Sequence, residues 1–186
     1  MAVKRTYNLE QVRFLIIEDN VNMIALVRSI LQALGAKRVY EAADAKTGLD
    51  LVPVVQPDII ICDWQMEPMS GLELVCRIRD EQSPSPFVPI FMLTAHSEIE
   101  RVKEARDCGV NEFLVKPISA RTLYGRISTI IEHPRPFVRT DTYFGPDRRR
   151  RQLEFNGPER RSAQPVPVEA AVSGNGKATV AAQAAH

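Results

Sequence analysis

The chain contains little that would indicate a disulfide-stabilised, metal–thiolate or membrane protein. Its 186 residues include three cysteines, Cys62, Cys76 and Cys108, and no two of them form a Cys-x-x-Cys pair. Their apolar surroundings in the sequence favour reduced, structural thiols over a disulfide framework or a metal site. No apolar run reaches the length of a membrane span, and no apolar signal core follows residues 1–5. We therefore expect a cytoplasmic protein without a membrane span.

Strong charge of one sign is also absent. The net charge is +1, with 45% hydrophobic and 25% charged residues, which are values of a globular protein. The length allows one ordinary domain and an appendage. The net charge does not indicate a partner, and only the distribution of charge along the chain can do so.

Short apolar runs alternate with segments of helical periodicity between residues 12 and 132. The runs predict five strands, at residues 12–17, 38–42, 59–62, 88–93 and 112–115. Because a helical pattern follows each strand, we predict an α/β fold, a five-stranded, doubly wound parallel sheet with helices on both faces.

Capping residues mark the ends of the predicted helices. Asn20 or Asp19, Asp44, and Ser70 or Gly71 are expected to begin the first three, and Gly35 and Gly109 to end the first and fourth. The second helix is expected to end near Leu51, since Pro53 and Pro57 follow. The fourth and fifth helices are predicted at residues 98–108 and 119–132.

Four of the five predicted strands end in a polar group that could take part in chemistry. These groups are Glu18 with Asp19, Asp63, Thr94 and Lys116. Taken alone, Asp63 could be a solvated loop residue or a helix cap. Parallel strands share one carboxyl edge, however, so the groups should converge in one crevice. Clustered carboxylates repel unless a cation joins them, and hard oxygen ligands suit Mg²⁺. The pattern indicates metal-assisted phosphoryl transfer onto a carboxylate.

Residues 12–132 resemble a receiver domain of the two-component response regulators, similar to CheY and of flavodoxin-like fold. The matching elements are Glu18-Asp19, the loop from Asp63 through Met66 and Pro68 to Gly71, Thr94-Ala95, Phe113 and Lys116-Pro117. The resemblance implies that Asp63 accepts a phosphoryl group from a histidine kinase or phosphotransfer protein. Such a domain loses the group by autodephosphorylation and is not a dedicated enzyme.

The same resemblance implies the roles of the surrounding residues. Mg²⁺ would be held by Glu18, Asp19, Asp63 and the backbone carbonyl of Gln65. Thr94 would bind a phosphoryl oxygen, Lys116 would pair with the acids, and Phe113 would be the aromatic switch. A cis peptide is expected at Lys116-Pro117. Gln65 and His96 occupy the positions that tune phosphoryl lifetime, although surface solvation is the simpler interpretation of His96.

The ends of the chain differ from a minimal receiver. We interpret residues 1–11 as an N-terminal arm, 133–162 as an arginine-rich binding segment and 163–186 as a disordered tail. Residues 134–138 are predicted to be an extended linker. No apolar periodicity remains to build a DNA-binding helix-turn-helix, so sequence-specific DNA binding is not expected.

The arginine-rich segment contains a short internal repeat of Gly-Pro-acid-Arg-Arg. Arginine forks suit phosphate and the edge of guanine, and aromatic rings such as Tyr143, Phe144 and Phe155 supply stacking faces. The segment resembles the tails of the CheY-like Cle effectors, which bind cyclic di-GMP and act on the flagellar motor. Its candidate ligands are Tyr143, Asp147, Arg148, Arg149, Arg150, Arg151, Glu159, Arg160 and Arg161.

Two alternatives remain open. The chain could be a phosphorelay shuttle or phosphate sink whose tail only tethers it to a partner. The tail could also be a solvated basic segment that binds nucleic acid, acidic membrane or acidic protein nonspecifically. A metal-dependent phosphatase is disfavoured, because no further nucleophile accompanies the receiver set.

Overall fold

The structure is a computed structural model that describes residues 7–80, 82–95, 102–140, 143–147 and 166–168. Its main sheet contains five parallel strands, as the sequence predicts. They are β1 (Arg13–Ile17), β2 (Arg38–Ala42), β3 (Ile59–Asp63), β4 (Ile90–Thr94) and β5 (Glu112–Val115). The strand order is β2-β1-β3-β4-β5. Strands β3 and β4 are buried along their whole length, because helices cover both faces of the sheet.

Within the described residues, five helices pack against this sheet. They are α1 (Val21–Ala33), α2 (Ala45–Val55), α3 (Gly71–Ile78), α4 (Val102–Asp107) and α5 (Ala120–Glu132). Alternate side chains of each strand point to opposite faces. Apolar residues of α1 and α5 therefore meet one set of strand residues, and those of α2 and α3 meet the other. Among the described helices, none is long and apolar enough to cross a bilayer.

Most of the predicted helix boundaries are confirmed. Asn20, Asp44 and Ser70 are the N-caps of the first three helices, and each side chain accepts hydrogen bonds from the following turn. The predicted end of α2 near Leu51 is wrong. The helix continues through Pro53 to Val55, because Val52 and Val55 are both buried against the sheet and their burial outweighs one missing backbone hydrogen bond. Residues 96–101, the predicted start of α4 included, lie outside the described part of the chain.

The N-terminal arm is partly integrated into the domain. Tyr7 and Leu9 are buried beside α1 and α5. The Tyr7 amide donates to the Tyr124 hydroxyl over 3.1 Å, and the Tyr7 hydroxyl donates to Glu132. Residues 7–11 therefore add to the receiver core.

A second, smaller sheet follows α5, where the sequence predicted an extended linker. It consists of β6 (Phe137–Thr140), β7 (Tyr143–Pro146) and β8 (Val166–Val168), in the order β7-β6-β8. Both β7 and β8 are antiparallel to β6. The linker prediction is wrong because Phe137 and Val138 are buried and hydrogen-bonded within this sheet. Strand β8 also takes three residues from the segment predicted to be disordered; the rest of that segment lies outside the described residues.

A buried arginine attaches the β6–β7 hairpin to the receiver. Arg79, the C-cap of α3, is 4% exposed. It donates to the carbonyls of Gly109 (3.0 Å) and Pro86 (2.8 Å) and to Asn111 Oδ1 (2.9 Å). Its guanidinium carbon lies 5.2 Å from the centre of the Phe137 ring. Burial lowers the pKa of Arg79, and the three acceptors with the aromatic face offset the cost of burying its charge.

A pair of salt bridges joins α5 and the segment after it to the start of β5. The buried carboxylate of Glu112 accepts from Arg126 on α5 over 3.1 Å and from Arg135 over 2.8 Å. Both anchoring points lie at the amino edge of β4 and β5, opposite the edge where the predicted acidic crevice should lie. The hairpin is therefore part of the folded domain.

Replacing Phe137 with alanine should test this packing. The ring is 7% exposed and contacts Phe87, Phe144 and Arg79. We expect Phe137→Ala to lower the free energy of unfolding by about 3 kcal/mol. Val54→Ala is a suitable control, because Val54 is 78% exposed and should change stability by less than about 0.5 kcal/mol. Urea denaturation measures both variants, and equal effects would show that the hairpin is not packed on the receiver.

Candidate functional site

The carboxyl edge of the main sheet brings the predicted acidic and basic groups together. Glu18 follows β1, Asp63 ends β3, Thr94 ends β4 and Lys116 follows β5. These strands are neighbours in the sheet, so groups that are distant in sequence meet in one place. The convergence predicted from the strand ends is thus observed.

Lys116 bridges two carboxylates. Its Nζ lies 2.7 Å from Asp63 Oδ1 and 3.1 Å from Glu18 Oε2. Asp63 is 5% exposed and Glu18 is 1% exposed. The Asn20 amide also donates to Glu18 Oε1 over 3.3 Å. One lysine therefore neutralises part of the charge of two acids that are withdrawn from solvent.

The ionisation of the three groups reflects this crowding. Burial, followed by the charge of Asp63, raises the pKa of Glu18, and Lys116 opposes the rise. Burial raises the pKa of Asp63 as well, again against the effect of Lys116. Burial by itself would lower the pKa of Lys116, but the hydrogen bonds and charges of Asp63 and Glu18 raise it overall. Because these two buried acids share one cation, a further positive charge near them would be electrostatically favourable.

The acidic residues are arranged so that one cation could join them. One carboxylate oxygen from each of Glu18, Asp19 and Asp63 lies within 4.8 Å of the others. Ligands of a single octahedral Mg²⁺, with bonds of about 2.1 Å, stand about 3–4 Å apart, so only small movements are needed. Asp19 is exposed, which leaves that side of the cluster open to water. This donor set fits Mg²⁺, which keeps several waters in its coordination shell.

The loop after β3 is held against the site by a close backbone contact. The Gly71 amide donates to the Trp64 carbonyl over 3.0 Å. A Cβ at Gly71 would lie 1.9 Å from the carbonyl oxygen of Asp63, so no side chain fits there. Ser70 and Glu73 form a capping box that begins α3 just beyond. The glycine of the predicted loop thus fixes where α3 begins relative to Asp63.

A cleft of about 580 Å³ opens beside Asp19, along this loop. It is lined by Asp19, Trp64, Gln65, Met66, Glu67, Ser70 and Leu72. Gln65 is exposed in it. Trp64 is 3% exposed, and its indole belongs to the core against the α2–α3 face.

Thr94, which is expected to bind a phosphoryl oxygen, lies at this edge, whereas Phe113, the predicted aromatic switch, lies further from it along β5. Thr94 is 1% exposed, and its hydroxyl donates to the Ala95 carbonyl over 3.1 Å. Phe113 is half-buried on β5, opposite Met92 of β4. The Lys116-Pro117 peptide is cis, as predicted, and so is Glu67-Pro68. His96 lies outside the described residues.

The three cysteines are free thiols, as expected. Cys62 is buried directly before Asp63, and burial followed by the charges of Asp63 and Glu18 raises its thiol pKa. Cys108 is half-buried. Cys76 is exposed on α3, contrary to the apolar surroundings that its sequence neighbours indicated.

The predicted nucleotide ligands of the tail are only partly described. Tyr143 is 8% exposed, and its hydroxyl donates to the Pro146 carbonyl over 2.7 Å. Asp147 is half-buried and its amide donates to the Pro136 carbonyl. The other seven candidates lie outside the described residues: Arg148, Arg149, Arg150, Arg151, Glu159, Arg160 and Arg161.

Sequence reasoning missed the residues that hold the hairpin. Arg79, Glu112 and Phe137 are buried together at the opposite edge of the sheet. Buried ionised residues are rare unless they are paired, but nothing in the local sequence around Arg79 or Glu112 indicates which group is the partner. The apolar pair Phe137-Val138 was the one weak indication in the sequence that this segment is buried.

Comparison with known proteins agrees with this geometry. Residues 14–128 match the family model described as the response regulator receiver domain. The chain is 32% identical over 123 residues to the chemotaxis protein CheY-3 of Vibrio cholerae, covering 66% of this chain and 94% of that protein. It is 31% identical over 120 residues to the chemotaxis protein CheY of Pseudomonas aeruginosa, covering 64% of this chain and 96% of that protein.

A solved structure shows the same architecture. The chemotaxis protein CheY4 of Vibrio cholerae superposes with a TM-score of 0.59 at 32% identity, covering 64% of this chain and 98% of that one. CheY-like receivers are signalling proteins that exchange phosphoryl groups with histidine kinases or phosphotransfer proteins. The matched region, the sheet order and the acidic cluster with its lysine together show that this chain belongs to the family of response regulator receiver domains.

Proposed function

We propose that the protein is a response regulator phosphorylated on Asp63, whose output is a contact with another protein. The observation that supports this best is the bridge from Lys116 to Asp63 and Glu18 beside the exposed Asp19. Asp63 is the one acid of the cluster that ends the central strand β3, and the next residue, Trp64, lines the cleft together with Asp19.

The transfer step requires an in-line approach of a phosphodonor to Asp63. A carboxylate oxygen of Asp63 attacks the phosphorus, and a new O–P bond forms as the bond between phosphorus and the donor's nitrogen or oxygen breaks. The leaving group keeps the electron pair. Lys116 and the Thr94 hydroxyl would stabilise negative charge on the phosphoryl oxygens. The low exposure of Asp63 strengthens both interactions.

A bound Mg²⁺ would supply positive charge for the transferring oxygens. Its ligands would be Glu18, Asp19, Asp63 and the backbone carbonyl of Gln65. This proposal is supported by the raised pKa values of Glu18 and Asp63, which a nearby positive charge would lower. The chain itself holds three carboxylates close together, and a bound metal would offset the repulsion between them.

Glu18→Gln should reveal that cost in the absence of metal. An acid whose pKa is raised in the folded state keeps its proton there while the unfolded chain has released it. Stability is therefore lost as pH rises above the ordinary carboxyl pKa of about 4. With EDTA present, the melting temperature of Glu18→Gln relative to the parent should increase as the pH rises above about 4.

Added Mg²⁺ should raise the melting temperature of the parent at neutral pH and have less effect on Glu18→Gln. Asp50→Asn, which removes an exposed carboxylate of α2, serves as the control and should follow the parent in both series. A variant that is less stable than the parent at neutral pH, with EDTA, would contradict the idea that these acids are crowded.

Asp63→Asn should abolish phosphorylation. The amide lacks the charged oxygen that attacks phosphorus, whereas Asp50→Asn leaves the site intact. Incubation with acetyl phosphate and Mg²⁺, followed by intact-protein mass spectrometry, should give a phosphorylated parent and control and an unmodified Asp63→Asn. Uptake by that variant at the parent rate would refute the assignment of the acceptor.

We further propose that the arginine-rich segment binds cyclic di-GMP and that the protein acts on a motility target such as the flagellar motor. The packing separates two parts of the first repeat element. Tyr143, Gly145 and Pro146 are buried in the hairpin, and a Cβ at Gly145 would lie 3.0 Å from the Cα of Gly109. These residues support attachment, so recognition is left to Asp147 and the arginines that follow.

Each of the two repeat elements contains one acid, and these acids favour a guanine ligand over a polyanion that has no hydrogen-bond donors. A carboxylate accepts hydrogen bonds from the guanine amino and imino groups, while it repels phosphate. Two Gly-Pro-acid-Arg-Arg elements would suit a ligand with two guanines and two phosphates. The alternative is a phosphorelay shuttle or phosphate sink whose basic tail tethers it nonspecifically, and that alternative predicts the opposite response to removal of Asp147.

The double variants Arg148→Ala/Arg149→Ala and Arg160→Ala/Arg161→Ala should each weaken cyclic di-GMP binding. Charge-assisted hydrogen bonds contribute about 1.5–3 kcal/mol each, so losing two should raise Kd roughly a hundredfold or more. Asp147→Ala should also weaken binding, although it makes the segment more positive. Calorimetry on the full chain measures all three. Tighter binding by Asp147→Ala, with equal competition from GTP and RNA, would favour the nonspecific tether.

A further inference from the structure

Glu67 lies in the middle of the loop that joins β3 to α3. The loop is closed at its base, because the Gly71 amide donates to the Trp64 carbonyl over 3.0 Å. A Cβ at Gly71 would lie 1.9 Å from the carbonyl oxygen of Asp63. Trp64 and Met66 are 3% and 5% exposed, whereas Glu67 is exposed. The fold therefore holds both ends of the loop against Asp63 and presents Glu67 to solvent between them.

The cleft along this loop contains negative charge and no positive charge. Asp19 and Glu67 both line it, beside the apolar side chains of Trp64, Met66 and Leu72. None of the described residues that line the cleft is basic. Within the described part of the chain, no salt bridge joins Glu67 to a lysine or an arginine. A cleft with apolar walls and charge of one sign focuses its electric field on small ions that enter it.

The two acids of the cleft differ in their relation to the metal. A carboxylate oxygen of Asp19 lies within 4.8 Å of an oxygen of Glu18 and of Asp63, so a Mg²⁺ bound there would offset much of the charge of Asp19. Glu67 is not a member of this cluster. Its charge would therefore remain in the cleft when the metal is bound, and a phosphodonor would meet it.

We infer that Glu67 is a specificity-determining residue for phosphoryl transfer to Asp63, and that it favours donors with a cationic leaving group over donors with an anionic one. The inference rests on the proposed phosphorylation of Asp63. In an in-line reaction the leaving group lies on the side of phosphorus away from Asp63, which is the side open to the charge of the cleft. Glu67 repels a leaving group that departs as an anion and attracts one that carries a proton.

Two small phosphodonors differ in this property. In both reactions a carboxylate oxygen of Asp63 forms the new O–P bond. The O–P bond of acetyl phosphate breaks with its electron pair on acetate, which leaves as an anion. The N–P bond of phosphoramidate breaks with its electron pair on nitrogen, which is an ammonium group at neutral pH and leaves as neutral ammonia. A protonated phosphohistidine ring leaves as neutral imidazole in the same way, so Glu67 favours a histidine donor over an acyl phosphate.

The test compares the two donors on the full-length chain at neutral pH and saturating Mg²⁺, with intact-protein mass spectrometry to follow phosphorylation. Glu67→Gln should raise the rate with acetyl phosphate about threefold relative to the rate with phosphoramidate, and Glu67→Lys about tenfold. Both ratios should approach the parent ratio as the ionic strength rises, because salt screens the charge. Asp50→Asn removes an exposed carboxylate of α2 and should keep the parent ratio.

Equal changes of the two rates, or the parent ratio in both Glu67 variants, would overturn this inference while leaving phosphorylation of Asp63 intact. Calorimetry with Mg²⁺ alone gives the metal affinity of each variant. A loss of affinity in Glu67→Gln as large as that in Asp19→Asn would also overturn the inference, because Glu67 would then act as a metal ligand. Absence of phosphorylation of the parent by both donors would instead refute the proposed function, and this inference with it.

Discussion

The ion pairs made by Lys116 are the interaction on which the functional edge depends. Glu18 and Asp63 are both withdrawn from solvent and both ionisable, and the lysine lies within 3.1 Å of each. Without a cation between them, burial and mutual repulsion would favour protonation of one acid. The lysine compensates only in part, as the raised pKa values of both acids show. The remaining demand for positive charge is what suits this cluster to a divalent ion.

A second charged arrangement has a structural purpose at the opposite edge. Arg79 and Glu112 are buried, yet each is surrounded by complementary groups, and together they attach the hairpin after α5. Strand β5 begins with Glu112 and is followed by Lys116. The same four-residue strand therefore contacts the hairpin anchor at one end and the acidic site at the other. A receiver cut after α5 would lose apolar cover and leave Glu112 without Arg135.

This packing changes how the repeat in the C-terminal segment is understood. From sequence alone, the two Gly-Pro-acid-Arg-Arg elements look equivalent. In the structure, Gly145 and Pro146 of the first are buried, with Gly145 against Gly109, and Tyr143 is bonded to its own strand. The first element is therefore a junction between a packed hairpin and an arginine run. Exposed Arg139, although outside the repeat, lies on the same face as Phe144.

The sequence by itself determined the five alternating strands and helices, three of the N-caps and the set of groups at the carboxyl strand ends, because these depend on local periodicity, capping chemistry and a topological rule. Only the tertiary structure decided that α2 continues through Pro53, that Trp64 is buried and that residues 137–146 pack on the receiver. Each of these depends on the burial of side chains against partners far away in sequence. Arg79 is the clearest example. Its acceptors are two carbonyls and an amide oxygen from two other loops, and the residues next to Arg79 in the sequence do not indicate them.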